Sequence, residues 1–144
     1  MRHLEIRLIK NQHELEQVFE IRKQAFVQEQ DVPLELELDG LDDDADHVIV
    51  YYNEKPIGCA RIRINEYAKL ERVAILKQYR NRGFGTQLMH YLIDYCKSKN
   101  ITEIRLHSQT YVSDFYEKIG FITRGKPFFE AGIEHAEMYM KIRP

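Results

Sequence analysis

The sequence predicts a mixed α/β fold, in which a strand–helix–strand unit crosses the centre of the sheet. Several short runs alternate apolar and polar residues, as half-buried strands do. Between them, apolar residues recur at three- and four-residue spacing, as in amphipathic helices. The two kinds of segment interleave with no internal repeat and no Pro/Gly/Ser linker. We therefore expect residues 1–144 to form one domain with one core.

Strands and helices are predicted by period, capping residues and turn residues. The predicted strands are residues 4–9, two strands within 47–64 joined by a turn at 53–56, and residues 68–76, 103–108, 121–125 and 134–142. The predicted helices are one from the capping pair Asn11 and Glu14 to about Gln28, a short one after Pro33, one over 84–96 and one over 111–119 that stops at Gly120.

Composition narrows the class of protein. The net charge of −2 and the pI near 6.3 give no basic field for nucleic acid, so we expect none as a partner. No apolar stretch approaches the roughly 18 residues of a membrane span. The N-terminus alternates like a strand, so we expect no signal peptide. Cys59 and Cys96 both lie on apolar faces, which predicts buried free thiols in a cytoplasmic protein.

A basic, glycine-containing turn stands where a strand ends and a helix begins. We call residues 80–86, with the sequence RNRGFGT, the glycine loop. Unpaired amides at a helix N-terminus, glycines that let a ligand approach and two arginines together suit a pyrophosphate. A solvated basic turn is the alternative. A P-loop would need a lysine after Gly85, and a dinucleotide fingerprint would need a third glycine where Leu88 stands.

Two motifs make a family resemblance specific. Arg80, Gly83 and Gly85 match the pattern Arg/Gln-x-x-Gly-x-Gly/Ala, and the segment therefore resembles the coenzyme-A-binding motif of the GNAT N-acetyltransferase family. The segment QTYVSDFYEKIGF, residues 109–121, resembles the second motif of that family. The segments IRKQAFVQEQDVPLELELDGLDDDADH and AGIEHAEM resemble its ElaA/YjcF-type branch, so the likeness covers nearly the whole chain.

The resemblance implies a GNAT fold, with a mostly antiparallel sheet, a central splayed parallel strand pair and flanking helices. It implies acetyl-CoA as co-substrate. We expect no metal, because the histidines show no metal-ligand spacing with the cysteines or with each other. The resemblance also implies that a bulge splays the strand before the glycine loop, so that the thioester enters the gap and the strand backbone binds the pantetheine arm. The implied cofactor-binding residues are Val73, Ala74, Ile75, Arg80, Asn81, Arg82, Gly83, Phe84, Gly85, Thr86, Gln109 and Phe115.

The implied reaction is direct attack of a neutral amine on the thioester. Tyr116 stands where the family places a hydroxyl near the sulfur. Proton transfer from a free tyrosine to a free thiolate is uphill by roughly 2 kcal/mol, so we expect a hydrogen bond to the departing sulfur. Glu71 stands where glucosamine-phosphate N-acetyltransferases place a glutamate near the amine. Its alternative is a solvent-facing carboxylate near Lys69 and Arg72.

Residues near the acceptor are less specific. Glu29 is a further candidate base, with a helix-end charge as its alternative, and His135 is a candidate for either catalysis or structure. Substrate-binding residues are expected to be Phe26, Gln28 and His135. For His107, at the end of the strand before the second motif, we expect a structural role, with a place near the cofactor as the alternative. For the acidic run over 35–47 we expect a solvated loop, with attraction of a cationic amine as the alternative.

The function expected is an acetyl-CoA-dependent N-acetyltransferase acting on a primary amine of a small molecule, such as an amino sugar, or of a peptide. Its rivals are a non-catalytic acyl-CoA-binding sensor or interaction module, and a nucleotide-binding protein that uses the same loop. A monomer and a homodimer are both compatible with the sequence. The two cysteines stand in no motif that suggests an acyl-enzyme.

Overall fold

The computed structural model describes residues 3–144, which form one seven-stranded sheet flanked by helices. The strands are β1 (Leu4–Leu8), β2 (Asp46–Tyr52), β3 (Lys55–Ile64), β4 (Ala68–Ile75), β5 (Glu103–Gln109), β6 (Ile122–Glu130) and β7 (Ile133–Lys141). The helices are α1 (Gln12–Arg22), α2 (Leu34–Glu37), α3 (Phe84–Ser98) and α4 (Ser113–Ile119). A π-helical segment (Lys23–Gln28) continues α1, and 3₁₀ turns (Lys77–Tyr79 and Thr110–Val112) lie before α3 and α4.

The strand order is β1-β2-β3-β4-β5-β7-β6. Every neighbouring pair is antiparallel except β4 and β5, which are parallel and joined through α3. A parallel pair needs a crossover connection, and the helix after the glycine loop supplies it. The predicted fold class is therefore confirmed, including the strand–helix–strand unit at the centre of the sheet.

Local signals in the sequence set the element ends. The Asn11 side chain accepts a hydrogen bond from the Glu14 amide at 2.9 Å, and α1 begins at the next residue after Asn11. The Glu14 carboxylate accepts a hydrogen bond from the Lys10 amide at 2.7 Å. A capping box would use the amide of Asn11, the next residue. The helix prediction is confirmed, and its last turn and a half takes the wider π form.

The β2–β3 hairpin turns through Asn53 and Glu54, both in the left-handed region with φ of 49° and 69°. Positive φ at both central residues is typical of a two-residue hairpin loop whose twist matches the strands. The predicted turn at 53–56 is confirmed. At the end of α4, Gly120 takes a φ of 123°, which the predicted helix stop requires.

The core lies on both faces of the sheet. On one face α3 buries the side chains of Leu88, Met89, Leu92 and Cys96. On the other face α1 buries Val18 and Ile21 against a cluster that includes Cys59. Both cysteines are free and buried, as predicted. Two-sided burial explains the continuous buried runs at residues 48–50 in β2 and 57–62 in β3.

A bulge in β4 opens the centre of the sheet. Two residues of β4, Arg72 and Val73, lie opposite one residue of β3, and Arg72 has a φ of 53°. The parallel pairing of β4 with β5 ends at Leu70 and Leu106, although both strands continue. Beyond this point β4 and β5 diverge, because a bulge bends the strand that carries it. The implied splayed parallel pair is therefore present.

Candidate active site

A cavity lies in the gap between β4 and β5. It has a volume of about 380 Å³, in the range of small-molecule sites. The wall combines apolar residues from the π-helical segment and the splayed strands with polar residues from the β6–β7 hairpin. The lining residues are Phe26, Gln30, Val32, Leu36, Glu37, Lys69, Leu70, Glu71, Arg72, Val73, Leu106, His107, Ser108, Gln109, Val112, Tyr116, Glu130, Ala131, Ile133 and His135.

The cavity gathers six of the residues selected from the sequence. These are Phe26, Glu71, Val73, Gln109, Tyr116 and His135. Gln28 and Glu29 are exposed and lie outside its lining, as does the glycine loop. Ala74 and Ile75 bury their side chains in the core, so only their backbone atoms are available along the β4 edge. The cavity shows where these residues lie, and their catalytic and binding roles remain predictions.

The glycine loop ends at the N-terminus of α3. Gly83 caps the helix with a φ of 81°, and no side chain accepts from the first-turn amides. Asn81 also lies in the left-handed region, with a φ of 64°. A Cβ atom built on Gly83 meets no heavy atom within 4 Å. This 15-residue helix therefore directs uncapped amides and the positive end of its dipole outwards, an arrangement that suits a phosphate group.

Gly85 connects the glycine loop to α4. A Cβ built on Gly85 would lie 3.4 Å from the ring of Phe115, so the glycine allows the ring to pack against the first turn of α3. Phe115 in turn makes an edge-to-face contact with Tyr116, with ring centroids 5.0 Å apart. The two motifs of the sequence thus meet through this pair of rings.

Arg80 is fully engaged by protein groups. Its guanidinium donates to both carboxylate oxygens of Glu29 at 2.6 and 2.7 Å, and its Nε donates to the Ile75 carbonyl at 2.7 Å. This hydrogen bond lowers the pKa of Glu29. The pair ties the end of the helical segment to the end of β4. A base role for Glu29 stays a prediction, and the pairing disfavours it because a lowered pKa makes the carboxylate a weaker base.

Tyr116 lines the cavity from α4. Burial raises the pKa of its phenol to about 12, because the phenolate loses solvation. The hydroxyl therefore stays protonated across the physiological range and is available as a hydrogen-bond donor. This is the protonation state that the implied leaving-group role requires.

Glu71 lies among arginines. It accepts hydrogen bonds from Arg63 at 2.6 Å and from Arg61 at 3.0 Å, and Lys69 lies 3.6 Å away. Burial alone would raise the pKa of Glu71, but the Arg63 hydrogen bond and the charge of Arg61 outweigh burial and lower it. The alternative of a solvent-facing carboxylate is wrong, since the side chain of Glu71 is only 11% exposed, and Arg72 pairs with Glu37 at 2.7 Å. The lowered pKa disfavours Glu71 as a base, and that role stays a prediction.

The acidic connector is exposed at most of its positions, as expected of a solvated loop, but three of its carboxylates pair with buried arginines. Glu37 pairs with the buried Arg22 at 3.0 Å, while Asp39 and Asp42 pair with the buried Arg61 at 2.7 and 3.0 Å. The Arg61 hydrogen bond holds the pKa of Asp39 well below its usual range. These contacts hold α2 against the sheet as one wall of the cavity. The sequence contains arginines in β3 and an acidic run before β2, which indicates that ion pairs can form. It does not indicate which carboxylate pairs with which arginine.

The cavity also contains two histidines: His107, for which the sequence predicted a structural role, and His135, which the sequence offered as a candidate for catalysis or substrate binding. His107 Nδ1 lies 2.6 Å from a carboxylate oxygen of Glu130, and His135 Nδ1 lies 2.7 Å from the Ile133 carbonyl. The ring of Phe128 lies between them, edge-on to His107 and stacked on His135. His135 is also opposite Gln109 in the β5–β7 ladder. Both histidines line the cavity.

Residues 3–144 contain no group of three or more His, Cys, Asp and Glu side chains that could hold a metal ion. In the same part of the chain, no helix has both the length and the apolar character needed to cross a membrane.

Comparison with known proteins places this geometry in a family. Residues 9–142 match the model of the GNAT acetyltransferase domain. YjcF of Bacillus subtilis, described as an uncharacterized N-acetyltransferase, is 38% identical over 133 residues, which are 91% of this chain and 95% of that protein. YyaT of the same organism is 36% identical over 143 residues, which cover 96% and 97% of the two chains.

Solved structures agree on the fold. Escherichia coli ElaA superposes with a TM-score of 0.83 at 25% identity, over 96% of this chain and 99% of that one. A GNAT acetyltransferase of Elizabethkingia anophelis, solved with acetyl-CoA bound, gives a TM-score of 0.76 at 17% identity, over 96% and 98%. The splayed sheet, the glycine loop and the match along residues 9–142 lead to one conclusion: this chain belongs to the GNAT acetyltransferase family.

Proposed function

We propose that this protein transfers an acetyl group from acetyl-CoA to a primary amine of a small molecule, amino sugars included, or of a peptide. The observation that carries the proposal is the open edge of β4. Past Leu70 this edge has no β5 partner, and it leads from the cavity to the uncapped N-terminus of α3. An extended ligand can pair with such an edge as an added strand would. The acetyl-CoA bound to the Elizabethkingia relative supports the same ligand class.

The cofactor-binding residues are proposed to act in two groups. The backbone of Val73, Ala74 and Ile75 pairs with the pantetheine arm, with Gln109 on the opposite strand. The amides around Arg82–Thr86 bind the pyrophosphate, and Phe115 holds Gly85 in place. Arg80 and Asn81 shape the loop, Arg80 through its pairing with Glu29 and Asn81 through its left-handed backbone. Phe84 is buried and anchors the first turn of α3.

The transfer is proposed to occur in a ternary complex. The acceptor enters on the side of Phe26, Gln28 and His135, and its nitrogen attacks the thioester carbonyl. A backbone N–H of the splayed strand stabilises the oxyanion, and the Tyr116 hydroxyl donates to the departing sulfur. Both thiols are poor nucleophiles, because burial raises the pKa of Cys59 to about 12 and that of Cys96 to about 11. This supports direct transfer over an acyl-enzyme.

We further propose that residues 1–144 act as one cytoplasmic domain, as a monomer or a homodimer, without nucleic acid. The acidic pI near 6.3 supports the last point, because a nucleic-acid surface is basic.

Calorimetric titration with CoA tests the binding site. Gly83→Leu should abolish CoA binding, because the new side chain would stand over the uncapped amides. Gly125→Leu is the matched control: Gly125 has a φ of 78°, a built Cβ there also meets nothing within 4 Å, and it lies on β6. Both variants carry similar backbone strain of about 1–2 kcal/mol. Unchanged CoA affinity in Gly83→Leu would contradict the assigned site.

Thiol release from acetyl-CoA across a panel of primary amines tests the reaction. The panel should include an amino sugar, a polyamine and a peptide with a free N-terminus. Turnover with one class would establish the enzyme and its acceptor class. CoA binding without turnover on any amine would instead support a non-catalytic acyl-CoA-binding module.

A further inference from the structure

His107 and Glu130 form a close pair at the cavity wall. His107 lies near the end of β5 and Glu130 at the end of β6, so β7 lies between their strands in the sheet. The contact of 2.6 Å therefore reaches across a strand. Both residues line the cavity that also contains Tyr116.

The partner of His107 settles which ring nitrogen carries the proton. An ionised carboxylate only accepts hydrogen bonds, so Nδ1 of His107 must be the N–H donor to Glu130. In the neutral ring Nε2 then carries the lone pair. A carboxylate on Nδ1 also stabilises the imidazolium that forms when Nε2 takes a proton. The pair thus has the two features of an oriented general base.

The pair adds little to stability as an ion pair. The side chain of Glu130 is 47% exposed, and exposed pairs contribute little because solvent screens them. The ring of Phe128 packs edge-on to His107 at 4.9 Å and limits the movement of the imidazole. Because the pair contributes little to folding stability, a fixed His107 ring with an exposed carboxylate partner indicates a role in the chemistry of the cavity.

The other candidate bases are less suitable. Glu29 is held by Arg80, and Glu71 by Arg61 and Arg63. His135 has its Nδ1 proton held by a neutral carbonyl, which stabilises an imidazolium less than a carboxylate does.

We propose that His107, oriented by Glu130, is the general base that deprotonates the acceptor amine. This inference rests on the proposed N-acetyl transfer. One proton of the substrate ammonium passes to Nε2 and later to solvent. The neutral nitrogen then adds to the thioester carbonyl and the N–C bond forms. As the oxyanion collapses the C–S bond breaks, the nitrogen loses a second proton and the departing thiolate takes up one proton, so that the amide and the CoA thiol are released.

The test compares two acceptors at pH 7 with the full-length protein. The first is the primary alkylamine that the wild type accepts, which is protonated at this pH, and the second is acetyl hydrazide, which is neutral. His107→Gln should lower kcat/KM for the alkylamine by about 10²–10⁴-fold and for the hydrazide by less than about threefold. CoA affinity should not change. His90→Gln, at an exposed position of α3, is the matched control with wild-type kinetics.

Glu130 is a positioning residue, and its variants separate orientation from folding. Glu130→Ala should lower kcat/KM for the alkylamine at least tenfold without changing Tm, and Glu130→Asp should recover part of the loss. Nitrogen-15 NMR of the histidine rings should show Nδ1–H on His107 and a changed Nε2 signal when CoA binds. A ring protonated on Nε2 in its neutral form would overturn the proposal without any kinetics.

The outcomes distinguish failure of the His107 base from failure of the proposed acetyl transfer. Wild-type activity on the alkylamine with no loss in His107→Gln would overturn the base and leave the acetyl transfer standing. Equal losses with both acceptors would also overturn the base, since the neutral hydrazide needs none. A wild type that uses no amine would overturn the proposed function and the base with it.

Discussion

Replacing Tyr116 with phenylalanine tests how the leaving thiolate is stabilised. The variant removes one hydroxyl and keeps the ring, which contacts Phe115 and Phe121 edge-on. Packing is therefore largely preserved, and the variant should fold with a Tm close to that of the wild type. Any kinetic change then reports on the hydroxyl.

The magnitude follows from the raised pKa of Tyr116. With the phenol at about 12 and a free thiol near 8.5, full proton transfer to the thiolate is uphill by about 5 kcal/mol. Stabilisation by a hydrogen bond to the charged sulfur is the remaining contribution, of about 1.5–3 kcal/mol. Tyr116→Phe should thus lower kcat by about 10–150-fold, with little change in CoA affinity.

The assay is thiol release from acetyl-CoA with the best amine of the panel, measured from pH 6 to 10. Because Tyr116 stays protonated up to about pH 12, the wild-type profile should show no loss of activity from this residue in that range. Tyr111→Phe, in the 3₁₀ turn before α4 and 72% exposed, is the matched control and should be unchanged. A kcat within twofold of wild type in Tyr116→Phe would refute the reasoning. A Tyr116-dependent fall in kcat between pH 8 and 10 would refute the pKa argument.

Three further predictions concern stability and thiol reactivity. The hydrogen bond from Arg7 is the main cause that lowers the pKa of Glu14 from 4.5 to about 2. Ionised Glu14 therefore contributes about 2–3 kcal/mol to the free energy of unfolding. This contribution is complete above pH 4.5 and is lost as the pH falls to 2. Denaturant unfolding of wild type and Glu14→Gln should differ at pH 7 and converge over that window; a constant difference would contradict it. Arg61→Met removes the buried partner of three carboxylates and should cost about 3–5 kcal/mol, whereas Arg63→Met should cost under about 1 kcal/mol; equal Tm losses would contradict this ranking. Thiol labelling of Cys59 and Cys96 at pH 8 should require unfolding, and rapid labelling of the native protein would contradict their burial.

The glycine loop and the elements around it could be predicted because their signals are local. Asn11 caps α1 through a contact three residues away, and Gly83 and Gly120 take left-handed backbone at helix ends. Such features depend on neighbours in sequence, so period and turn chemistry are enough to find them. The bulge in β4 was implied only by family resemblance, since Arg72 at a φ of 53° has no residue-type signal.

The amino-acid sequence by itself determined the order of the elements, the glycine loop and the family. Only the tertiary structure decided which charges meet. Glu71 stands beside Arg72 in the chain but pairs with Arg61 and Arg63, and His107 pairs with Glu130, 23 residues away. With 21 lysines and arginines and 23 acids in the chain, many pairings satisfy the composition equally well. Sheet register and the bulge select among them, because an ion pair forms only where the fold brings two side chains within about 4 Å.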